Sequence, residues 1–149
     1  MALEIERKFL VDAEKISELN LSDGEKIFQG YLSTEKNKTV RVRVKGEKGF
    51  LTIKSKNVGI VRSEFEYEIP VDDAEEILKL CEPKVLQKVR YKVEHAGKIF
   101  EVDIFSGKHQ GLILAEVELN SPNEKIDLPN WLGEEVSDNP KYFNSNLFS

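Results

Sequence analysis

The feature that most constrains this chain is an alternation of charged and apolar residues that repeats along its length. In the clearest case Arg41, Arg43 and Lys45 alternate with Val42 and Val44. Successive side chains of a β-strand point to opposite faces, so this spacing predicts a strand with one charged and one apolar face. Many of the apolar positions hold β-branched or aromatic residues, which favour strands. The same alternation recurs at 3–9, 51–56, 64–69, 88–93, 101–104 and 115–119.

The segments between these strands indicate how they connect. Short glycine-containing stretches at 46–49 and 96–98 have the composition of hairpin turns, which join antiparallel neighbours. Helices are predicted at 12–19 and, with acidic residues in its first turn, at 72–80, with a further short piece near the C-terminus. The fold class is therefore α+β with strands dominating, in a single domain over residues 1–149.

Composition excludes several classes of protein. With 40% hydrophobic and 33% charged residues, the chain is too apolar to be disordered. Cys81 is the single cysteine, which excludes an intramolecular disulfide framework and a cysteine-built zinc site. No apolar run approaches the roughly 20 residues that cross a bilayer, and the N-terminus lacks a hydrophobic leader. A soluble cytoplasmic protein without membrane partners is expected.

The net charge of −5 and the pI near 5.2 argue against nucleic-acid binding through a generally basic surface. They do not exclude a local basic pocket, because such a site depends on where the charges cluster.

The sign of the charge on each predicted strand suggests where the charged faces point. A single strand with one polar face is most simply explained by solvent exposure. Here, however, individual strands tend to carry one sign only, as in Arg41 and Arg43 or in Glu116 and Glu118, and like charges two residues apart repel. Closing the strands into a barrel would make this arrangement tolerable, with basic strands facing a polyanion and acidic strands holding a divalent metal ion.

At this point the residues resemble a known family. Glu4, Glu6 and Lys8 form an E-x-E-x-K motif that is similar to the N-terminal signature of the CYTH superfamily, the triphosphate tunnel metalloenzymes. Further motifs follow in the order of that family and cover nearly the whole chain: Gln29-Gly30-Tyr31-Leu32, Arg41-x-Arg43, Thr52-x-Lys54, Arg62-x-Glu64-x-Glu66, Lys88-x-Arg90-Tyr91, Asp103 and Glu116-Val117-Glu118.

The resemblance implies an eight-stranded antiparallel β-barrel that forms a charged tunnel, with a few external helices. It also implies metal-dependent hydrolysis of a triphosphate with Mg²⁺ or Mn²⁺, and the likeness is greatest to short bacterial members that hydrolyse inorganic tripolyphosphate. The C-terminal stretch 136–147 is similar to the segment that closes one tunnel mouth in the family.

Phosphate binding is assigned to the basic members of these motifs. Arginine grips phosphate with two parallel N–H donors, and lysine supplies a point charge. Lys56, at the end of its strand, is a weaker candidate. The substrate-binding residues are predicted to be Lys8, Arg41, Arg43, Lys54, Lys88 and Arg90.

Metal binding and catalysis are assigned to the acidic members. Mg²⁺ and Mn²⁺ prefer carboxylate oxygens and water. Glu4 and Glu6 are predicted to bind the metal with Glu116 and Glu118, from strands that face each other across the tunnel. Glu68 and Glu101 are expected to be solvated acids at strand ends. The catalytic group, in which a second set of acids orients the attacking water, is predicted to be Glu64, Glu66, Asp103 and Lys8.

Four alternatives to an inorganic triphosphatase stay open at this stage. A nucleoside or thiamine triphosphatase would need a pocket for the organic group beside the tunnel, and an adenylate cyclase would need an element that reads adenine. A non-catalytic polyphosphate-binding module would keep the cations and lose the acids. A structural sheet with solvated charges would bind neither phosphate nor metal. The presence of both charge sets favours an enzyme that acts on a small-molecule triphosphate.

Overall fold

The computed structural model of the protein describes residues 3–147. In this range nine strands and two α-helices follow one another along the chain. Their bounds are β1 Leu3–Val11, α1 Ala13–Ile16, β2 Glu25–Glu35, β3 Lys38–Lys45, β4 Lys48–Ser55, β5 Val61–Ile69, α2 Val71–Cys81, β6 Val85–His95, β7 Lys98–Phe105, β8 Ile113–Glu118 and β9 Leu132–Glu135.

Eight of the strands close into an antiparallel barrel. The hydrogen-bonded order is β5-β4-β3-β2-β6-β7-β8-β1, and β1 returns to β5 through pairs such as Glu4 with Arg62. The other half of the same edge of β1 pairs with β9. The predicted eight-stranded barrel is thus confirmed, because β1 is long enough to bond β8 on one edge and two strands on the other.

Two of the nine strands were not among the seven predicted segments. The β2 strand lacks alternating charges, since Ile27, Gln29 and Tyr31 occupy its buried positions, and its register with β3 shifts between Tyr31 and Ser33. The other, β9, has only four residues. Neither strand therefore produces the sequence pattern that revealed the rest.

The helices cover only part of the outer surface. The predicted helix at 72–80 is confirmed as α2, which packs over β2, β3 and β4 and buries Val42, Val44, Ala74 and Cys81. Helix α2 lies so close to β2 that a Cβ atom on Gly30 would be 2.5 Å from the Cβ of Cys81. The predicted helix at 12–19 was too long. It forms only α1, capped by the side chain of Asp12, and has no buried residue to hold a longer helix in place.

A second apolar cluster lies on the opposite side of the barrel. Phe100 and Trp131 meet edge to face with ring centroids 5.6 Å apart, and Phe9 and Val117 belong to the same cluster. Trp131 is therefore a packing residue, placed immediately before β9. Within residues 3–147 no helix is both long and apolar enough to cross a membrane.

The C-terminal segment covers one end of the barrel. After β9 it forms two short 3-10 turns, Pro140–Tyr142 and Asn144–Asn146. Val136 and Leu147 are buried in a cluster with Tyr31, Leu86 and Leu114. This packing holds residues 143–145 against the interior of the barrel.

Candidate active site

The barrel encloses a cavity of about 220 Å³ that is lined mainly by charged side chains. Its basic lining residues are Lys8, Arg41, Arg43, Lys45, Lys54, Arg62, Lys88 and Arg90. Its acidic lining residues are Glu4, Glu6, Glu64, Glu66, Glu101, Glu116 and Glu118. Every residue assigned to the site from the sequence lies here except Asp103. The closed barrel turns most of the charged positions of these strands inward and so collects residues that are far apart in sequence.

Strand β3 supplies two buried arginines with different surroundings. Arg43 donates through Nε and Nη2 to Oε1 of Gln29, at 3.1 and 3.0 Å. Arg41 donates through Nη2 to Thr52, at 3.3 Å, and lies 3.7 Å from a carboxylate oxygen of Glu66. The buried Nε of Arg41 has no hydrogen-bond partner among residues 3–147. A buried donor without a partner costs about 1–3 kcal/mol, so this nitrogen is suited to an anionic ligand.

Glu4 is the centre of one ion-pair cluster. Its carboxylate accepts from Lys54, at 3.0 Å, and from Arg62, also at 3.0 Å, while Lys54 lies 3.1 Å from Glu64. Burial by itself would raise the pKa of Glu4, yet Lys54 and Arg62 hold it well below its usual range. Burial, together with a hydrogen bond to Glu4, raises the pKa of Glu64 to about 6.

Glu6 and Glu116 form a pair of interacting carboxyl groups. Burial and the neighbouring charges of Glu116 and Glu4 raise the pKa of Glu6 well above its usual range. Burial opposes the charge on Glu116 as well, but Lys8 and Arg90 hold the pKa of Glu116 well below normal. Glu6 is hydrogen-bonded to Glu116, and the opposite pKa shifts favour the protonated form of Glu6 beside the ionised form of Glu116.

The acids on β8 lie near those on β1, but the arrangement of the two strands differs from the one expected. The sequence-based prediction is that the two strands face each other across the tunnel. In the structure they are hydrogen-bonded neighbours, with Glu6 opposite Glu118 and Lys8 opposite Glu116. The expectation was wrong because the barrel closes through β1, which brings the N-terminal strand beside the last of the long strands.

Asp103 does not lie with Glu64 and Glu66, contrary to the prediction from the sequence. Its carboxylate accepts from Arg90 at 2.7 and 2.9 Å and lies 2.8 Å from Nζ of Lys88. The reason is register, since Asp103 lies directly opposite Arg90 in the β6–β7 pair. Asp103 is 0% exposed and does not line the cavity itself, so it supports two cavity-lining cations from the inner face of β7 beneath them.

Burial also affects Lys88, which is 1% exposed. Burial lowers the pKa of the Lys88 ammonium group to about 7, even though the charge of Asp103 opposes this shift. For Asp103 itself, burial favours the neutral form, but Lys88 and Arg90 outweigh it and lower the pKa.

The assignment of Glu101 to solvent was wrong. Glu101 lines the cavity and accepts from Nη1 of Arg90 at 3.2 Å. It lies two residues before Asp103 and therefore on the same face of β7, which is the signal that should have placed it inside. Arg62 likewise lies two residues before Glu64, on the same face of β5, and also lines the cavity. Glu68 and Lys56 are exposed, as expected of strand-end charges.

The acidic lining fits a divalent cation, although among residues 3–147 no three acidic, histidine or cysteine side chains converge into a ready-made metal cage. The carboxyl groups of Glu6 and Glu116 shift each other's pKa in opposite directions, and a cation beside them would relieve the same repulsion. Magnesium is typically bound through one or two carboxylates, with water and substrate phosphates completing the octahedron. The carboxylates of Glu4, Glu6, Glu116 and Glu118 therefore have the chemistry for such an ion.

Comparisons with known proteins agree with this geometry. A family model described as the CYTH domain matches residues 2–146. An inorganic triphosphatase of Acetivibrio thermocellus is 47% identical over 148 residues, which cover 99% of this chain and 94% of that protein. An inorganic triphosphatase of Nitrosomonas europaea is 36% identical, over 97% of this chain and 95% of that protein. A crystal structure of an inorganic triphosphatase superposes with a TM-score of 0.68 at 33% identity, covering 98% and 94% of the two chains.

Proposed function

Because the chain belongs to the CYTH domain family, we propose that it is a metal-dependent triphosphatase that hydrolyses inorganic tripolyphosphate inside its barrel. Two relatives that match nearly its whole length are inorganic triphosphatases, at 47% and 36% identity. The observation that carries the proposal is the paired lining of the cavity, with eight basic and seven acidic side chains around one space.

The two charge sets together favour an enzyme over a simple binding module. The cations alone would hold a polyanion, but seven carboxylates in the same cavity repel one. A divalent cation held by these carboxylates would remove this conflict, because it would offset their negative charge and attract the phosphates. The ion pairs seen without ligand, such as Lys54 with Glu4, would then exchange partners, with lysine turning to phosphate and glutamate to metal.

Mg²⁺ or Mn²⁺ is the ion we propose, bound by Glu4, Glu6, Glu116 and Glu118. When bound, such an ion supplies Lewis-acid stabilisation of charge on the phosphate oxygens.

The residues of the chain have three tasks in the proposed reaction, in which water attacks a terminal phosphorus in line with the leaving oxygen. Lys8, Arg41, Arg43, Lys54, Lys88 and Arg90 hold the phosphates and offset the negative charge of the transferring group. Glu64 and Glu66 orient the water. Asp103, which was predicted to act with them, instead pairs with Arg90 and Lys88 and fixes their positions.

The experiment that tests this function is phosphate release from tripolyphosphate, ATP, thiamine triphosphate and pyrophosphate, each with Mg²⁺, Mn²⁺ or a chelator. We expect fast release from tripolyphosphate that depends on the metal, with little from the other three. Faster release from ATP or thiamine triphosphate would instead identify an organic triphosphate as the substrate, and release that survives chelation would refute the role of the metal.

A matched pair of variants tests the metal assignment. Glu6→Gln removes a proposed metal ligand and should abolish metal-dependent turnover. Glu68→Gln removes an exposed acid near the C-terminal end of β5 and should leave turnover unchanged. Full activity in Glu6→Gln would contradict the assignment.

A further inference from the structure

Asn144 lies where the C-terminal segment meets the tunnel. Its side chain lines the cavity, between Phe143 and Ser145, and its Oδ1 accepts from Nζ of Lys88 at 2.8 Å and from Nε2 of Gln29 at 3.4 Å. The segment is anchored nearby by Lys8, whose Nζ donates to the backbone carbonyl of Tyr142 at 3.1 Å. Asn144 is thus held against Lys88, and its segment is tied to Lys8; the proposed function assigns both lysines to phosphate binding.

The hydrogen-bond network fixes which way the Asn144 amide points. The guanidinium group of Arg43 contains only donors, so the atom of Gln29 that faces it must be the acceptor Oε1. The Nε2 donor of the fully buried Gln29 is consequently directed away from Arg43, towards Tyr31 Oη at 3.0 Å and towards Asn144. Asn144 must therefore present its oxygen to Gln29.

Lys88 reinforces this orientation. Its amino group donates to Asp103 and to Asn144, and in the charged form it requires an acceptor in both places. With Oδ1 occupied by two donors, the Asn144 Nδ2 group is turned the other way. Within residues 3–147 this nitrogen has no hydrogen-bond partner, although its residue lines the charged cavity.

We propose that Asn144 is a further substrate-binding residue, whose Nδ2 donates a hydrogen bond to a non-bridging phosphate oxygen at the covered end of the tunnel. This inference rests on the proposed function. An amide N–H bonds a phosphate oxygen without adding charge or taking a proton, so no change of protonation is involved. The network from Arg43 through Gln29 pre-orients the donor, and pre-orientation reduces the entropy lost on binding.

Substitutions at Asn144 separate donation to substrate from simple support of Lys88. Asn144→Asp keeps an oxygen for Lys88 and Gln29 but replaces the donor by a second acceptor, while Asn144→Ala removes both functions. We expect each variant to raise KM for tripolyphosphate by roughly tenfold or more, the usual size of a hydrogen bond to a charged group, with a smaller change in kcat. Asn146→Asp is the matched control, because it adds the same charge to the same segment at an exposed position and loses only a bond to Pro140. It should keep the KM of the parent protein.

A second readout does not depend on turnover. In a ¹⁵N–¹H correlation spectrum recorded with chelator, the side-chain NH₂ signals that are missing from Asn144→Asp identify Asn144. These signals should shift when tripolyphosphate is added to the parent protein. A KM for Asn144→Asp within twofold of the parent would overturn the proposal, because the support of Lys88 alone would then explain the network. A raised KM without any shift of the NH₂ signals would also overturn it, since repulsion by the new charge would account for the effect.

The same experiment separates this inference from the proposed function. If the parent protein releases no phosphate from tripolyphosphate, the proposed function fails. The NMR titration still decides whether Asn144 donates to a bound polyphosphate.

Discussion

Replacing Asp103 by Asn tests whether a buried charge cluster supports the tunnel wall. The substitution keeps the size of the side chain and removes only its negative charge, so that the buried Lys88 and Arg90 lose their shared counter-ion. Breaking a buried ion pair by removing one partner costs about 3–5 kcal/mol, because a charge is left uncompensated in a low dielectric. For a domain of this size each kcal/mol lowers Tm by about 2–4 °C, which predicts a decrease of about 6–20 °C.

Thermal unfolding followed by circular dichroism measures this decrease, with urea unfolding as an independent scale of free energy. Asp127→Asn is the matched control, since Asp127 bonds the partly exposed His95 at 3.1 Å and should change Tm by no more than a degree or two. A Tm for Asp103→Asn within about 2 °C of the parent would refute the reasoning. Unchanged stability together with a large loss of kcat would instead support the original assignment of Asp103 to the attacking water.

Two further predictions concern individual cations of the tunnel. Arg41→Ala should raise KM for tripolyphosphate by about 10–100-fold, because it removes a charged donor whose Nε has no hydrogen-bond partner among residues 3–147. Arg7→Ala breaks an ion pair with Glu135 outside the cavity and should leave steady-state kinetics unchanged. Equal effects of the two variants would contradict the role of Arg41 in phosphate binding. The lowered pKa of Lys88 predicts that the stability of the protein depends on pH. This pKa is about 7 when folded and about 10.4 when unfolded, so the unfolded chain binds more protons between these pH values and stability rises with pH across that window. In urea unfolding, the free energy of unfolding should increase more between pH 7 and pH 9.5 for the parent than for Lys88→Met. Equal increases for the two proteins would show that Lys88 does not titrate in this range.

Much of the site was predictable because a strand has a period of two. Once β3 was recognised, the inward position of Arg41 fixed that of Arg43, and the same reasoning holds for Glu64 with Glu66. The error at Glu101 came from treating a residue near the start of β7 as a strand end. Parity with Asp103 places it inside, and the structure shows it in the cavity.

Other features had no local signal. Strand β2 was missed because its buried positions hold Ile27, Gln29 and Tyr31 in place of a charged series, and a shift of register interrupts its pairing. The contribution of Asn144 also depends on contacts with residues more than 50 positions away in sequence, such as Lys88, so nothing in the flanking residues could indicate it.

The sequence by itself determined seven of the nine described strands, which face of each of these is charged and, through the resemblance of its motifs, the kind of barrel that they form. These are local properties, because the alternation of side chains is set by the backbone of each strand. Only the tertiary structure decided which charges meet. The closure of β1 onto β8 and β5 places Glu6 beside Glu116, the β6–β7 register gives Asp103 to Arg90, and the packing of the C-terminal segment brings Asn144 to Lys88. Partners of this kind depend on strand order and register, which bring together residues that no sequence spacing relates.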